Sequence, residues 1–291
     1  MNNFLEILSK PDNIPIAIMF VMVVFFTIYA FRQAFRNDRL MAAGLMKEGQ
    51  PDKVHVFPYL VRMEMVAALA TLVILLAWSL VVDAPLEDLA NPSKTPNPSK
   101  APWYFLGLQE MLVYFDPWIA GVVLPNIIIV GLIAIPYIDM NPNGSGYYTF
   151  SQRKFSILTF MFGFLVLWIS LIMIGTFFRG PGWYFYMPWQ KWDVHKVVAI
   201  TNVHLHELFG IRSEIGKGVF GAVVVGGYFG LGAIHYLWLH WKKSQWLEQM
   251  GLIRYGTFIF LFLTMMALPI KMVLRLAFNI KYVWVTPWFN V

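Results

Sequence analysis

Six long apolar runs constrain the fold of this chain more than any other feature of its sequence. Each run has about the 20 apolar residues that a helix needs to cross a hydrocarbon core ~30 Å thick. The runs span residues 14–34, 59–82, 118–138, 155–178, 218–240 and 255–275. Because a helix satisfies its backbone polar groups internally, such runs in lipid predict helices rather than open strands. We therefore expect an all-α, polytopic transmembrane protein with about six spans.

The composition supports a membrane protein and excludes several kinds of site. Only 13% of the 291 residues are charged and 58% are hydrophobic, whereas soluble domains carry about 25% charged residues. The net charge of +6 is scattered between the apolar runs, as is typical of Lys and Arg beside membrane helices, so we expect no nucleic-acid partner. The lack of cysteine excludes disulfides, thiolate-held iron–sulfur clusters and CxxCH haem attachment within this chain.

Two long connections separate the runs, at residues 83–117 and 179–216. With six spans, both termini and these two connections lie on the same side of the membrane. The short connections on the other side hold a denser set of basic residues: Arg32, Arg36, Arg39, Lys47, Lys53, Lys242, Lys243 and Arg254. Because positive charge in short loops marks the cytoplasmic side, we expect the termini and the long loops to face outwards.

The first long connection holds an ordered motif. Residues 90–105 read ANPSKTPNPSKAPWYF. This stretch resembles the loop of cytochrome b and of its split form, subunit IV, where an A-x-P-x-x-T-P stretch precedes a PEWY motif at the same spacing. Phe57-Pro58 before the loop, and Pro125 with Pro136-Tyr-Ile-Asp139 after it, agree with that family. The resemblance covers residues 52–178.

The resemblance implies a membrane subunit of a quinol:cytochrome c oxidoreductase of the Rieske/cytochrome b type. In that family a quinol gives one electron to a Rieske iron–sulfur protein and the other to b haems, and two protons leave on the outer face. This chain lacks the paired intramembrane histidines of the haem-bearing half, so it would be a non-haem-ligating subunit. The implied partners are a four-helix haem-bearing cytochrome b, a Rieske protein and a c-type cytochrome. We expect a dimeric complex in the bacterial inner membrane, with menaquinone as the quinone.

The motif also predicts the residues of an outer quinol site, on a short amphipathic helix between spans two and three. Its aromatic rings offer flat apolar walls, and Tyr104 adds a hydroxyl that can form a hydrogen bond. Where the family has a carboxylate this chain has Pro102, yet quinol oxidation needs a proton acceptor. Glu110 follows Trp103 by seven residues, two helical turns, so we expect Glu110 and Tyr104 to be catalytic. The expected quinol-binding residues are Ala101, Pro102, Trp103, Tyr104 and Phe105.

Other interpretations of these and other residues stay open. The aromatic side chains are also typical of an interfacial belt, and Glu110 would then face water on a loop helix. His204-Leu205-His206-Glu207 carries metal-type side chains, but we expect no metal site; proton transfer from the outer face or contact with a partner are alternatives. The second span begins with expected inner-side neighbours of a quinone or haem: His55, Phe57, Arg62 and Glu64.

The chain divides by sequence into three predicted parts. Residues 1–51 form an extra helix with its inner-side loop, residues 52–178 the cytochrome b-like domain, and residues 179–291 an outer aromatic and His-containing loop with two further helices. Because the motif carboxylate is missing, a quinone-interacting anchor of another respiratory reductase, without a Rieske partner, is an alternative function. A secondary transporter is less favoured, since most spans have uncharged centres.

Overall fold

The computed structural model of the protein describes residues 2–11, 13–46, 55–83, 89–143, 146–199 and 201–291. Within these ranges the chain is helical, with isolated β-bridges in place of strands. The helices are α1 (Asn2–Leu8), α2 (Ile14–Ala42), α3 (Val56–Val81), α4 (Leu106–Met111), α5 (Ile119–Ile138), α6 (Lys154–Phe178), α7 (Leu205–Leu208), α8 (Glu214–Trp241) and α9 (Gln245–Phe278).

Six of these helices are long and apolar enough to cross a membrane: α2, α3, α5, α6, α8 and α9. The prediction of an all-α, multi-pass membrane protein is therefore confirmed. Helix α4 lies between the second and third spans, where the sequence predicts a short helix. Most apolar side chains of the spans are exposed on the single chain, as expected of surfaces that face lipid or other subunits.

Two spans are longer than their apolar runs predict. Helix α2 continues to Ala42, because its polar last turns can extend beyond the hydrocarbon core. Helix α9 begins at Gln245 and breaks at Gly251, whose φ is +68°. Glycine adopts this left-handed conformation without the steric cost that a Cβ imposes. The break separates a short first segment of α9 from the apolar remainder.

The contacts of the chain divide it into two compact units. Unit 1 comprises Met1–Ile7, Asn97–Asn141 and Phe155–Val291, and unit 2 comprises Leu8–Pro96 and Pro142–Lys154. The three-part division by sequence stays a prediction, and its boundary at residue 51 lies outside the described residues. Lys47 and Lys53 of the predicted inner loop also lie outside them.

In unit 2, the last turns of α2 hold the loop that precedes α6. The Asp38 carboxylate accepts hydrogen bonds from the backbone nitrogens of Phe150 (3.2 Å) and Ser151 (3.0 Å). Asn37 donates to the Tyr148 carbonyl oxygen at 3.0 Å. Helix α3 has no buried residue, so its whole apolar surface is open on this chain.

In unit 1, the main core lies where α4, α5, α6 and α9 meet. Its buried residues are Met111, Tyr114, Phe115, Ala120, Leu167, Leu171 and Leu268. The two long connections and the C-terminal residues meet at one end of this unit. Arg179 of the second connection pairs with Glu110 of the first, and the Val203 nitrogen donates to the Asn279 carbonyl oxygen at 3.2 Å. This shared end agrees with the predicted topology, while its orientation towards the outside stays a prediction.

Candidate functional site

The loop that carries the aromatic motif is tied to α4 and α6 by polar side chains. The Gln109 side chain accepts from the Ala101 nitrogen at 2.8 Å and donates to the Ser99 carbonyl oxygen at 2.9 Å. Lys100 donates to the carbonyl oxygen of Thr176, near the end of α6, at 2.7 Å. These three hydrogen bonds fix the loop residues that lead into the motif.

The three aromatic side chains of the motif lie in a turn before α4 and are about half exposed. The exposed fractions are 44% for Trp103, 49% for Tyr104 and 54% for Phe105. The Tyr104 ring packs against the Trp168 ring of α6, with centroids 5.4 Å apart. The Pro102 carbonyl oxygen accepts from the Phe105 nitrogen at 2.8 Å, which closes the turn. Flat aromatic surface is thus presented outside the core of unit 1.

Regular helix begins at Leu106, and Trp103 lies in the turn before it, where the Leu106 nitrogen donates to the Pro102 carbonyl oxygen at 3.2 Å. The expectation that Trp103 and Glu110 share one face stays a prediction. Glu110 itself is fully buried, with 0% of its surface exposed. It therefore does not face water on a loop helix.

A guanidinium group neutralises the buried Glu110 carboxylate. Arg179, directly after α6, donates from Nε to Oε2 at 2.8 Å and from Nη2 to Oε1 at 2.5 Å. Arg179 is only 8% exposed. Two parallel charge-assisted hydrogen bonds of this kind are stronger and more directional than a single contact. The pair joins α4 to the end of α6.

Tyr114 and Trp183 complete the polar contacts of this ion pair. The Tyr114 hydroxyl donates to Glu110 Oε1 at 3.1 Å, and Arg179 Nη1 donates to the Trp183 carbonyl oxygen at 3.0 Å. Burial, followed by the nearby Glu110 carboxylate, raises the pKa of Tyr114 well above its usual value. Tyr114 is therefore a hydrogen-bond donor to the carboxylate throughout the physiological pH range.

A short hairpin holds Arg179 in place. The Gly180 nitrogen donates to the Tyr184 carbonyl oxygen (3.1 Å), and the Tyr186 nitrogen donates to the Phe178 carbonyl oxygen (2.8 Å). Gly182 has a φ of +67° at the tip of the turn, where glycine avoids steric strain. A Cβ on Gly180 would come within 2.7 Å of the Tyr186 ring. The sequence RGPGW thus suits a tight turn against a buried aromatic ring.

An open cleft of about 350 Å³ lies beside the motif, between the loop, α4 and the hairpin tip. The Gly182 nitrogen donates to the Asn97 side-chain oxygen at 2.7 Å across one end. Helix α4 contributes Gln109 to the lining, and Glu110 does not line the cleft. The lining residues are Asn97, Pro98, Ser99, Gln109, Leu112, Val113, Gly182 and Trp183.

The predicted inner-side residues lie elsewhere, in unit 2. His55, Phe57, Arg62 and Glu64 are exposed around the start of α3, and their role stays a prediction. Sequence reasoning missed Arg179 and Tyr114. An available signal was the position of Arg179, directly after an apolar run and on the same side of the membrane as Glu110. Within the described ranges, no group of three or more His, Asp or Glu side chains could hold a metal ion.

Comparison with known proteins identifies one family. Residues 89–177 match the family model described as cytochrome b (C-terminal)/b6/petD. The match begins just before the motif and ends one residue before the end of α6, so it includes the loop, α4 and α5. It confirms the predicted resemblance over this part of the chain. No solved structure shows a significant match to the protein.

Proposed function

We propose that this chain forms part of the outer-face quinol-oxidation site of a quinol:cytochrome c oxidoreductase. The proposal is supported by the match of residues 89–177 to the cytochrome b C-terminal/b6/petD family. The family match supports a membrane subunit of a cytochrome bc- or b6f-type complex that works with haem and quinone. The b haems and a Rieske cluster then lie on partner subunits, and menaquinol is the proposed substrate. A c-type cytochrome accepts the electrons.

The observation that carries the proposal is a fully buried carboxylate on the helix that follows the exposed aromatic motif. Glu110 lies on the helix that follows Trp103, Tyr104 and Phe105, and Arg179 balances its charge. An ionisable side chain buried at a membrane protein's core is unusual and points to function. The aromatic rings supply apolar surface for a quinol ring, and the Tyr104 hydroxyl can orient the quinol by a hydrogen bond.

Proton transfer sets a condition on Glu110. A quinol loses two protons as it loses two electrons, so each step needs a base within hydrogen-bond reach or one water away. Since Glu110 is fully buried, its carboxylate must rotate away from Arg179 or receive the proton through water. Two hydrogen bonds oppose that rotation. Arg179 is held in place by the Trp183 carbonyl oxygen, and the Tyr114 hydroxyl donates to Glu110 Oε1.

Substitution Glu110→Gln in the intact complex tests this proposal. The amide keeps the volume of the side chain and can still accept from Tyr114, but it cannot take up a proton near neutral pH. We expect quinol-driven cytochrome c reduction to fall about 100-fold or more, within the range that a positioned base contributes. The measurement is inhibitor-sensitive turnover per b haem in complex purified in mild detergent. Glu248→Gln, at an exposed carboxylate at the start of α9, is the matched control and should turn over normally.

Assembly needs its own control, because Glu110→Gln leaves the Arg179 charge buried. The double variant Glu110→Gln/Arg179→Gln removes both charges and should assemble, yet it should lack turnover. Normal turnover in assembled Glu110→Gln, with the parent inhibited at the outer site, would show that another group accepts the proton. Absence of inhibitor-sensitive turnover in the parent complex would reject the quinol-oxidation proposal itself.

One observation favours a second candidate, a quinone-interacting anchor of a reductase without a Rieske partner. Pro102 stands where the family motif carries its carboxylate, so electron bifurcation at this site lacks the usual base. The two candidates differ in composition of the complex. Co-purification of a Rieske iron–sulfur protein, identified by its electron paramagnetic resonance signal, supports quinol:cytochrome c oxidoreductase activity; a quinone-reactive complex without that signal supports the anchor.

A further inference from the structure

Buried polar atoms without a hydrogen-bond partner cluster at one place in unit 1. Among the described residues five such side-chain atoms occur. Two of them, Trp284 Nε1 and Asn290 Oδ1, lie within residues 279–291, which we call the C-terminal cap. Two more, His204 Nδ1 and His206 Nδ1, belong to rings that stack in a row beside Tyr282 of the cap. Because an unsatisfied buried polar group costs free energy, such clusters mark places where water enters the protein.

The cap is bound to the protein on two sides. The Lys281 nitrogen donates to the Val203 carbonyl oxygen at 2.9 Å, and the Leu205 nitrogen donates to the Tyr282 carbonyl oxygen at 2.9 Å. Asn290 donates to the Asp116 carboxylate at 3.2 Å. The cap therefore lies between the His204 segment and the residues that directly follow Tyr114.

A buried ammonium group lies under the cap. Lys271 is 4% exposed, and its Nζ donates to the Lys281 carbonyl oxygen at 2.8 Å. The same Nζ is 5.6 Å from the centre of the Phe115 ring and 5.8 Å from that of Tyr282. An ammonium group has three donors, so Lys271 can also hydrogen-bond water between these rings.

Two imidazoles continue this row of polar side chains beyond Tyr282. The Tyr282 and His204 rings are parallel within 3° with centres 5.4 Å apart, and the His204 and His206 rings within 7° with centres 5.6 Å apart. His206 is 3% exposed. The exposed Glu207 carboxylate accepts from the His204 backbone nitrogen at 2.9 Å, so the row ends at a surface carboxylate.

We propose that the C-terminal cap covers a hydrated path along which protons leave the Glu110–Tyr114 pair, pass His204 and His206, and reach the surface at Glu207. The proposal rests on the proposed quinol oxidation, which supplies the protons. Asp116, Lys271 and Tyr282 line the path. Lys271 Nζ lies 5.6 Å from the centre of the Phe115 ring, next to Tyr114 in the chain, and 5.8 Å from that of Tyr282, so it joins the two ends of the inner section.

The chemistry at each imidazole is a simple exchange of protons. A neutral imidazole accepts a proton on its free nitrogen and releases another from its second nitrogen. Burial lowers the pKa of His204, opposed by Glu207 and reinforced by His206, Lys281 and Lys217. His204 is therefore neutral at neutral pH and has a nitrogen free to accept. The hydrogen bond from the His204 backbone lowers the pKa of Glu207, so its carboxylate stays ionised and attracts the proton to the surface, where water removes it.

Chemical rescue tests the path in the intact complex. His206→Ala opens space beside the row, and we expect quinol-driven cytochrome c reduction to fall at least about tenfold, less than the ~100-fold or more that a base at the reacting atoms contributes. Added imidazole should restore most of the rate, because a diffusing base replaces the missing side chain. His195→Ala, at an exposed histidine of the same connection, should keep the parent rate with and without imidazole.

The outcomes separate this inference from the proposed function. A normal rate in His206→Ala overturns the path, and so does a slow rate in assembled complex that imidazole does not restore. In both cases the parent still shows inhibitor-sensitive turnover, so the quinol-oxidation proposal stands. A parent without such turnover removes the source of the protons and rejects both. If His206→Ala does not assemble, His206→Gln keeps most of the volume; a parent-like rate in that variant overturns the path.

Discussion

Glu110 and Arg179 are 69 residues apart in the chain, yet they form a fully buried, two-bond ion pair. Taking both charges out of water costs several kcal/mol per ion, and their mutual attraction offsets that cost only with good geometry and further hydrogen bonds. Tyr114 and the Trp183 carbonyl oxygen supply those further bonds. At the scale of single residues, loss of one charged partner should therefore lower the stability of the protein more than loss of both partners.

This asymmetry predicts a specific result for a double-mutant cycle. Arg179→Gln alone should destabilise the protein by about 3–5 kcal/mol, because it leaves the Glu110 carboxylate buried without a counter-charge. Arg179→Gln/Glu110→Gln should be closer to the parent than either single variant. Thermal unfolding of the complex in mild detergent, with each variant beside the parent, measures the order. A double variant less stable than both single variants would contradict it.

At the scale of helices and loops, the sequence predicts which helices form but not which of them pack together. Apolar run length predicts all six spans, and the proline- and aromatic-rich loop predicts α4. Helix α2 ends at Ala42 and helix α9 begins at Gln245, both beyond the apolar runs. The length of an apolar run predicts only the part of a helix that lies inside the hydrocarbon core. The contact of Glu110 with Arg179 could not be predicted from the sequence near either residue, because it depends on how α4 packs against α6.

The C-terminal cap should loosen as the pH falls through the range in which His204 gains a proton. Its folded-state pKa is lower than the usual 6.5, so the unfolded segment binds more protons and stability decreases below about pH 6.5. Hydrogen-exchange protection factors of the Lys281 and Leu205 amides, corrected for intrinsic exchange, should fall between pH 7.5 and pH 5.5. The fall should be smaller in His204→Gln, and an equal fall in both proteins would contradict this role of His204.

At the scale of the whole molecule, α9 lies outside the family match at residues 89–177 but packs directly on the matched helices. Leu268 of α9 belongs to the core that contains Met111, Tyr114 and Leu167. A Cβ on Gly163 of α6 would be 3.2 Å from the Met265 sulfur. Helix α9 is therefore a structural neighbour of the candidate site, and in unit 1 it shares a core with the matched segment.

Two glycines of α5 provide a matched test of that shared core. A Cβ on Gly131 would be 3.3 Å from Leu261 of α9, whereas a Cβ on Gly121 meets no atom within 4 Å. Gly131→Leu should therefore force α5 and α9 apart and destabilise the protein by about 1–3 kcal/mol, as overpacking of a close contact does. Gly121→Leu adds the same side chain to the same helix in open space and should unfold at the parent temperature. If both variants are destabilised equally, the Gly121 side of α5 meets another subunit. If both unfold at the parent temperature, α9 does not stabilise residues 89–177, and its role lies in contacts with partners instead.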